Sequence, residues 1–137
     1  MKIIKGFKQA GEPTEAIPLE LCKQARDSLK IWQYTTLEQM QARLKAEIES
    51  INRLEYVVID DTGAAKAMMI LDVYENEPHT GHDILFTKFS FSTDKGALNN
   101  GYKWLLKMAK IMNFKFIMTT RQTGPMEIRH KIREVKP

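Results

Sequence analysis

Between His82 and Thr120 the hydrophobic period of the chain switches from two to helical and back, and this limits the possible folds more than any other feature. HDILFTKFSFS (His82–Ser92) reads as a strand and TDKGALNNG (Thr93–Gly101) as a loop. YKWLLKMAKIM (Tyr102–Met112) reads as a helix and FKFIMTT (Phe114–Thr120) as a second strand. Two strands joined through a helix pair in parallel, because only a long crossover lets the second strand run the same way as the first. The loop sets Gly96 and Gly101 at the start of the helix, where free backbone N–H groups and the helix dipole suit a phosphate-bearing ligand. The residues for such contacts are Lys95, Gly96, Asn99, Asn100, Gly101 and Lys103. GALNNG lacks the Lys-Ser/Thr that follows the second glycine of a P-loop, and no Gly-x-Gly-x-x-Gly is present. The competing reading is a plain strand-to-helix connection with Asn99 or Asn100 capping the helix.

The rest of the chain completes a mixed α/β order. Lys2–Phe7 reads as a short strand, broken by Gly11-Glu12-Pro13-Thr14. Pro18 suits a first helical turn, and Cys22, Ala25, Leu29 and Trp32 recur at helical spacing, which predicts a helix over 18–33. Thr36 with Gln39, or Thr35 with Glu38, fits a capping box ahead of a second helix over 36–51. Leu54–Ile59 and Ala64–Tyr74 are strands joined by the Asp60-Asp61-Thr62-Gly63 turn. The AMMIL centre of the second is apolar throughout, which predicts a central strand buried on both faces. The crossover helix is expected over about 97–112. Met126–Val135 alternates apolar residues with charges and is expected at a sheet edge.

The 137 residues suit a single domain with its own core, here 1–137. No apolar run approaches the roughly 20 residues of a membrane span, and no signal peptide is evident, so an intracellular setting without membrane contact is expected. Cys22 is the only cysteine, and no His or carboxylate cluster has metal-ligand spacing, so no metal is expected. Charge is uneven. Residues 1–100 hold twelve Lys and Arg against fifteen Asp and Glu (−3); residues 101–137 hold nine against two (+7). Lys103, Lys107, Lys110, Arg121, Arg129, Lys131 and Arg133 form the candidate phosphate-contacting set for a nucleic acid. No aromatic is interleaved in the basic tail and Glu127 and Glu134 interrupt it, so nucleic acid is not the expected partner.

Catalytic signals are few. Glu75 and Glu77 follow the central strand, and Glu75 is the candidate general base. His79, His82 and Asp83 flank the next strand, as a metal or acid–base group or, in the reading preferred because spacing places no third ligand, as plain surface-loop residues. Ser90, Ser92 and Thr93 have no His or Asp spaced to make a triad, and Met68, Met69, Met108, Met112 and Met118 read as core filler.

The order of elements, with EYVVIDDTGAAKAMMILDVYE and FSFSTDKGALNNGYKWLLKMAK, resembles the GNAT acetyltransferase family over roughly residues 1–120. In that family a fourth strand enters a loop of pattern Arg/Gln-x-x-Gly-x-Gly/Ala, whose amides hold the acyl-CoA pyrophosphate at the start of the third helix. Here Gly101 as first glycine places Leu98 and Lys103 at the outer positions, and Gly96 places Thr93 and Leu98 there. Only 17 residues follow Thr120, so the family's fourth helix and its tyrosine general acid have no counterpart. Truncated, loop-degenerate chains of this kind resemble small GNAT-like proteins of tailed bacteriophages, some of them virion or assembly components.

The resemblance implies a single GNAT-like α/β domain with a mixed, twisted sheet of about six strands and about three helices. It implies a non-catalytic structural or interaction protein without cofactor, in the host cytoplasm or the virion. Such a protein would dock protein partners or further copies of itself through Met126–Val135, with Arg129, Lys131 and Arg133. The alternative it implies is a CoA-dependent N-acetyltransferase acting on an amine. Acetyl-CoA would then lie on the Lys95–Gly101 backbone, its pantetheine arm along His82–Ser92, and Glu75 would act as base through water.

Overall fold

The computed structural model describes residues 1–136. Ten regular segments follow one another. Strand β1 (Lys2–Lys8) precedes helices α1 (Leu19–Ser28) and α2 (Leu37–Glu49), with a 3-10 turn at Lys30–Trp32 between the helices. Strands β2 (Arg53–Ile59), β3 (Ala65–Tyr74) and β4 (Ile84–Ser92) come next, then helix α3 (Asn99–Ile111) and strands β5 (Phe116–Gly124) and β6 (Glu127–Glu134). The six strands form one sheet in chain order. Every neighbouring pair is antiparallel except β4–β5, the pair joined through α3. The α/β class, the six-stranded mixed sheet and the three helices match the expectation from sequence.

Period-two alternation sorts the side chains of the central strands onto two cores. Leu54, Tyr56 and Val58 of β2, with Ala67, Met69 and Leu71 of β3, face α3 and pack on Trp104, Leu105 and Ala109. Val57, Met68 and Ile70 point the other way, onto Leu21, Cys22 and Ala25 of α1 and Met40, Leu44 and Ile48 of α2. Ala67–Leu71 is therefore buried on both faces, as a continuous apolar run in a central strand requires. Thr36 starts α2 with a capping box: its hydroxyl accepts the Gln39 N–H at 3.2 Å, and the Gln39 side chain accepts the Thr36 N–H at 3.1 Å.

Three local expectations change. The helix predicted over 18–33 ends at Ser28, and Leu29 is extended (φ −134°, ψ 121°). Ser28 Oγ turns back to the Gln24 carbonyl at 2.8 Å, and the Ile31 N–H donates to Pro125 in the β5–β6 turn at 3.0 Å. A tertiary bond thus takes a donor that a longer helix would have used. Neither Asn99 nor Asn100 caps α3. They are its first two residues, and Leu98 stands at the cap without a side-chain bond. Strand β5 continues past Thr120 to Gly124, because β6 pairs back along it from Glu127.

One buried ion pair lies where the sequence suggests only the start of a strand. Arg53 is 2 % exposed, and its Nε donates to Glu55 at 2.7 Å. Its remaining donors reach the carbonyls of Gln9, Glu12 and Ile51, pinning the β1–α1 connection onto β2. Glu55 accepts Thr14 Oγ1 at 3.0 Å on its other oxygen. Every charge and most lone pairs at this point are matched, the condition under which a buried pair is tolerated.

Candidate functional site: the strand fork and the basic groove

Strands β4 and β5 pair over three rungs only: Ile84 with Phe116, Leu85 with Ile117 and Phe86 with Met118. Beyond them the buried Thr87 hydroxyl accepts the Thr120 N–H at 2.9 Å, which closes the ladder with a side chain. Past this point neither strand pairs with the other, and the sheet forks. In β4, Phe89 faces Ile70 and Thr87 faces Leu71, so Lys88 is an extra residue in a bulge. Lys88 uses that position to reach Glu47 of α2 at 3.4 Å and Asp72 at 3.6 Å.

The six loop residues named from sequence do not converge. Gly96 adopts φ +82°, in the left-handed region, and the Asn99 side chain folds over it, 3.3 Å from where a Cβ would stand. Gly101 is buried inside α3, and an added Cβ would lie 3.2 Å from the Tyr56 ring and 3.4 Å from Met69 Cε. Close helix–sheet packing accounts for this glycine. Lys95 and Asn100 are exposed. Turn bonds run from Ala97 N–H to Asp94, Asn99 N–H to Gly96 and Tyr102 N–H to Leu98, leaving the amides of Asn100 and Gly101 as the free donors of a helix start. Asn99 and Lys103 also line a groove.

That groove, of about 650 Å³, runs between α3 and the β5–β6 hairpin. Its floor includes Leu105, Leu106 and Ile117, and its wall carries Lys103, Arg121, Arg129, Lys131 and Arg133. Pairing sets Arg121 directly opposite Arg129, with Lys131 opposite Thr119 and Arg133 opposite Ile117. Arg121 lies over the Tyr102 ring, 5.7 Å from its centre, in cation–π range. Arg129 meets Glu127 at 3.5 Å; the other four cations have no carboxylate partner among the described residues. Like charges facing each other across a strand pair oppose folding, so this grouping costs stability by itself. The strand spacing of Arg129, Lys131 and Arg133 was visible in the sequence. Their alignment with Arg121 and Tyr102 needed the strand register. Lys107 and Lys110 do not line the groove.

The other candidates lie elsewhere. Glu75 follows β3, whose last residue pairs with Ile84, so it sits at the closed end of the fork. Glu77 is buried and belongs to its loop: His79 Nδ1 lies 2.5 Å from its carboxylate, and the Thr80 N–H donates at 2.8 Å. Burial pushes the Glu77 carboxyl up, but these hydrogen bonds outweigh it and hold the group down at about 2. Asp83 accepts the Asn76 N–H, and the His82 ring lies 5.7 Å from that of Phe116. No group of three potential metal ligands occurs among the described residues. Cys22 borders a small apolar cavity with Trp32, Met40 and Phe89, and burial raises its thiol to about 11 against the opposing pull of Lys45. A thiol in that state is a poor nucleophile at neutral pH. Among the described residues no helix is long and apolar enough to cross a membrane.

Set against known proteins, the chain matches no protein-family model, and no curated protein matches it either.

Proposed function

We propose that the chain is a non-catalytic, GNAT-like interaction module that docks a protein partner through the β5–β6 hairpin, in the setting of a phage particle or its assembly. The observation that carries this reading is the state of the hairpin. No helix core covers β6 on either face, its outer edge is unpaired, and seven of its eight residues are exposed. An open edge flanked by unpaired cations is a surface that recruits another chain. Charge argues for a different protein rather than a second β6: two copies pairing there would bring Arg129, Lys131 and Arg133 against their equivalents. Glu75 stands at the closed end of the fork, Glu77 is engaged in its loop and Cys22 is buried, so none of these three is placed as a base or nucleophile beside α3.

A second reading, CoA-dependent N-acetyl transfer to an amine, draws support from one feature. The fork opens beside the α3 start, where the Asn100 and Gly101 amides are free to meet a pyrophosphate. Isothermal titration with acetyl-CoA separates the two. The module reading expects no heat up to millimolar ligand. Micromolar binding that Asn100→Glu abolishes would transfer the proposal to the enzyme. Asn100 is the informative position, since a side chain at Gly101 would strike Tyr56 and disturb the fold itself.

A further inference from the structure

The groove offers positive charge from both sides and little apolar surface. Lys103 stands on α3, Arg121 on β5, and Arg129, Lys131 and Arg133 on β6, and no carboxylate is among the lining residues. Leu105 and Ile117 are already spent in the α3 core, so Leu106, 37 % exposed, is the one aliphatic side chain left for a ligand to cover. A protein segment that docks by burying its own apolar face would gain little here. Asn99, Thr119 and Thr123 add neutral hydrogen-bonding groups to the same lining. The volume of about 650 Å³ is that of a small-molecule cleft, for which about 300–1,000 Å³ is usual. We propose that the groove binds one compact oxyanion carrying at least two negative groups, a phosphorylated or polycarboxylate small molecule held between Lys103 and the hairpin cations. Multivalence follows from the count of charges: Lys103, Arg121, Lys131 and Arg133 have no carboxylate partner among the described residues. Arg121 and Arg129 face each other across the strand pair, and an anion set between them turns one repulsion into two charge-assisted contacts. Arg129, Lys131 and Arg133 recur along one face of β6 at intervals of about 7 Å, so separate groups of one ligand can each meet a cation. A single-stranded nucleic acid stacks its bases on aromatic rings, and the one ring lining the groove, Tyr102, already has Arg121 over it. The site goes beyond the interaction-module reading, whose contact is the outer edge of β6, and lies apart from the Asn100 and Gly101 amides of the acetyl-transfer reading.

The probe is sodium tripolyphosphate, titrated calorimetrically into the full chain at about 0.1 M salt, where charges farther than roughly 10 Å are screened. The expected result is one site of micromolar affinity, with orthophosphate at least about tenfold weaker. Arg121→Gln and Lys131→Gln should each weaken binding about tenfold, the loss of one charge-assisted contact. Lys107→Gln removes the same charge from α3 outside the groove and should change affinity less than about twofold. All three side chains are exposed, and unchanged thermal melting confirms that the variants fold; Lys131→Gln carries the test alone if Arg121→Gln does not. Citrate, titrated in parallel, separates the two sources of the chemistry. Tighter binding of tripolyphosphate assigns a phosphorylated ligand and tighter binding of citrate a polycarboxylate, and either supports the site. No heat with either at millimolar ligand would overturn the proposal. So would orthophosphate binding as tightly as tripolyphosphate, which would remove the need for several negative groups. Equal weakening by Lys107→Gln and Arg121→Gln would reduce the binding to general basicity and overturn it as well. A 12-nucleotide single-stranded DNA that binds more tightly than tripolyphosphate would name a nucleic acid as the occupant, with the same consequence.

Discussion

Strands β2–β4 and strands β5–β6 belong to one sheet yet follow opposite rules. In the first group both faces are covered, by α1 and α2 on one side and α3 on the other, and the one charged pair inside is enclosed by matching hydrogen bonds. In the second the side chains alternate in the same way, but β6 is exposed and Arg121 faces Arg129. The centre spends its residues on stability; the hairpin carries a charge pattern that stability alone would not select.

The largest test of this contrast is Arg53→Ala. It leaves Glu55 buried with only the partly exposed Lys8, 3.8 Å away, as a charge partner and frees three carbonyls, so unfolding in urea should show a loss of about 3 kcal/mol. A loss below about 1 kcal/mol would mean that this end of β2 is far wetter than its burial indicates.

Gly101→Val probes the closest helix–sheet contact. Overpacking against Tyr56 should cost about 1–3 kcal/mol by the same measurement, whether or not any phosphate ligand is present. An unchanged stability would mean that close packing on Tyr56 does not account for this glycine.

Glu77 tests the β3–β4 loop by pH. Its folded value is depressed from 4.5 to about 2, so its contribution is complete above about 4.5 and is lost as pH falls towards about 2. The difference in melting temperature between wild type and Glu77→Gln should therefore be widest at pH 6 and shrink through that window. A difference that grows on acidification would contradict the assignment.

The smallest effect on stability belongs to the hairpin. Arg129→Glu should change unfolding free energy by less than about 0.5 kcal/mol, with the relief of Arg121 offsetting the lost contact to Glu127. A large loss would make the basic wall part of the fold and not a surface held for a partner.

What the sequence made legible was local. The AMMIL run announced a central strand, and Thr36 with Gln39 announced the start of α2, because burial on both faces and capping leave short-range patterns. The break after Ser28 left no pattern, since it depends on a bond from Ile31 to Pro125, distant in sequence. The interior place of Arg53 was equally hidden: the carbonyls that surround it come from Gln9, Glu12 and Ile51, none of which marks an arginine site. At the candidate site the glycines read either as phosphate contacts or as a plain strand-to-helix connection, and the sequence could not show that Gly96 is a left-handed turn position and that Gly101 clears the Tyr56 ring. The +7 charge of the C-terminal third was plain, but only strand register could show that Lys103, Arg121, Arg129, Lys131 and Arg133 share a groove while Lys107 and Lys110 do not.

Site-specific photo-crosslinking tests the central claim most directly. A benzophenone side chain would be placed singly at Ile128 and Arg133 on β6 and, as reference, at Lys45 on α2, in the cells that make the protein. The account predicts that both β6 positions give one discrete protein adduct of the same mass, lost when Arg129 and Lys131 are reversed in charge, and that Lys45 gives none. Adducts from Lys45 alone, or none from β6, would contradict it.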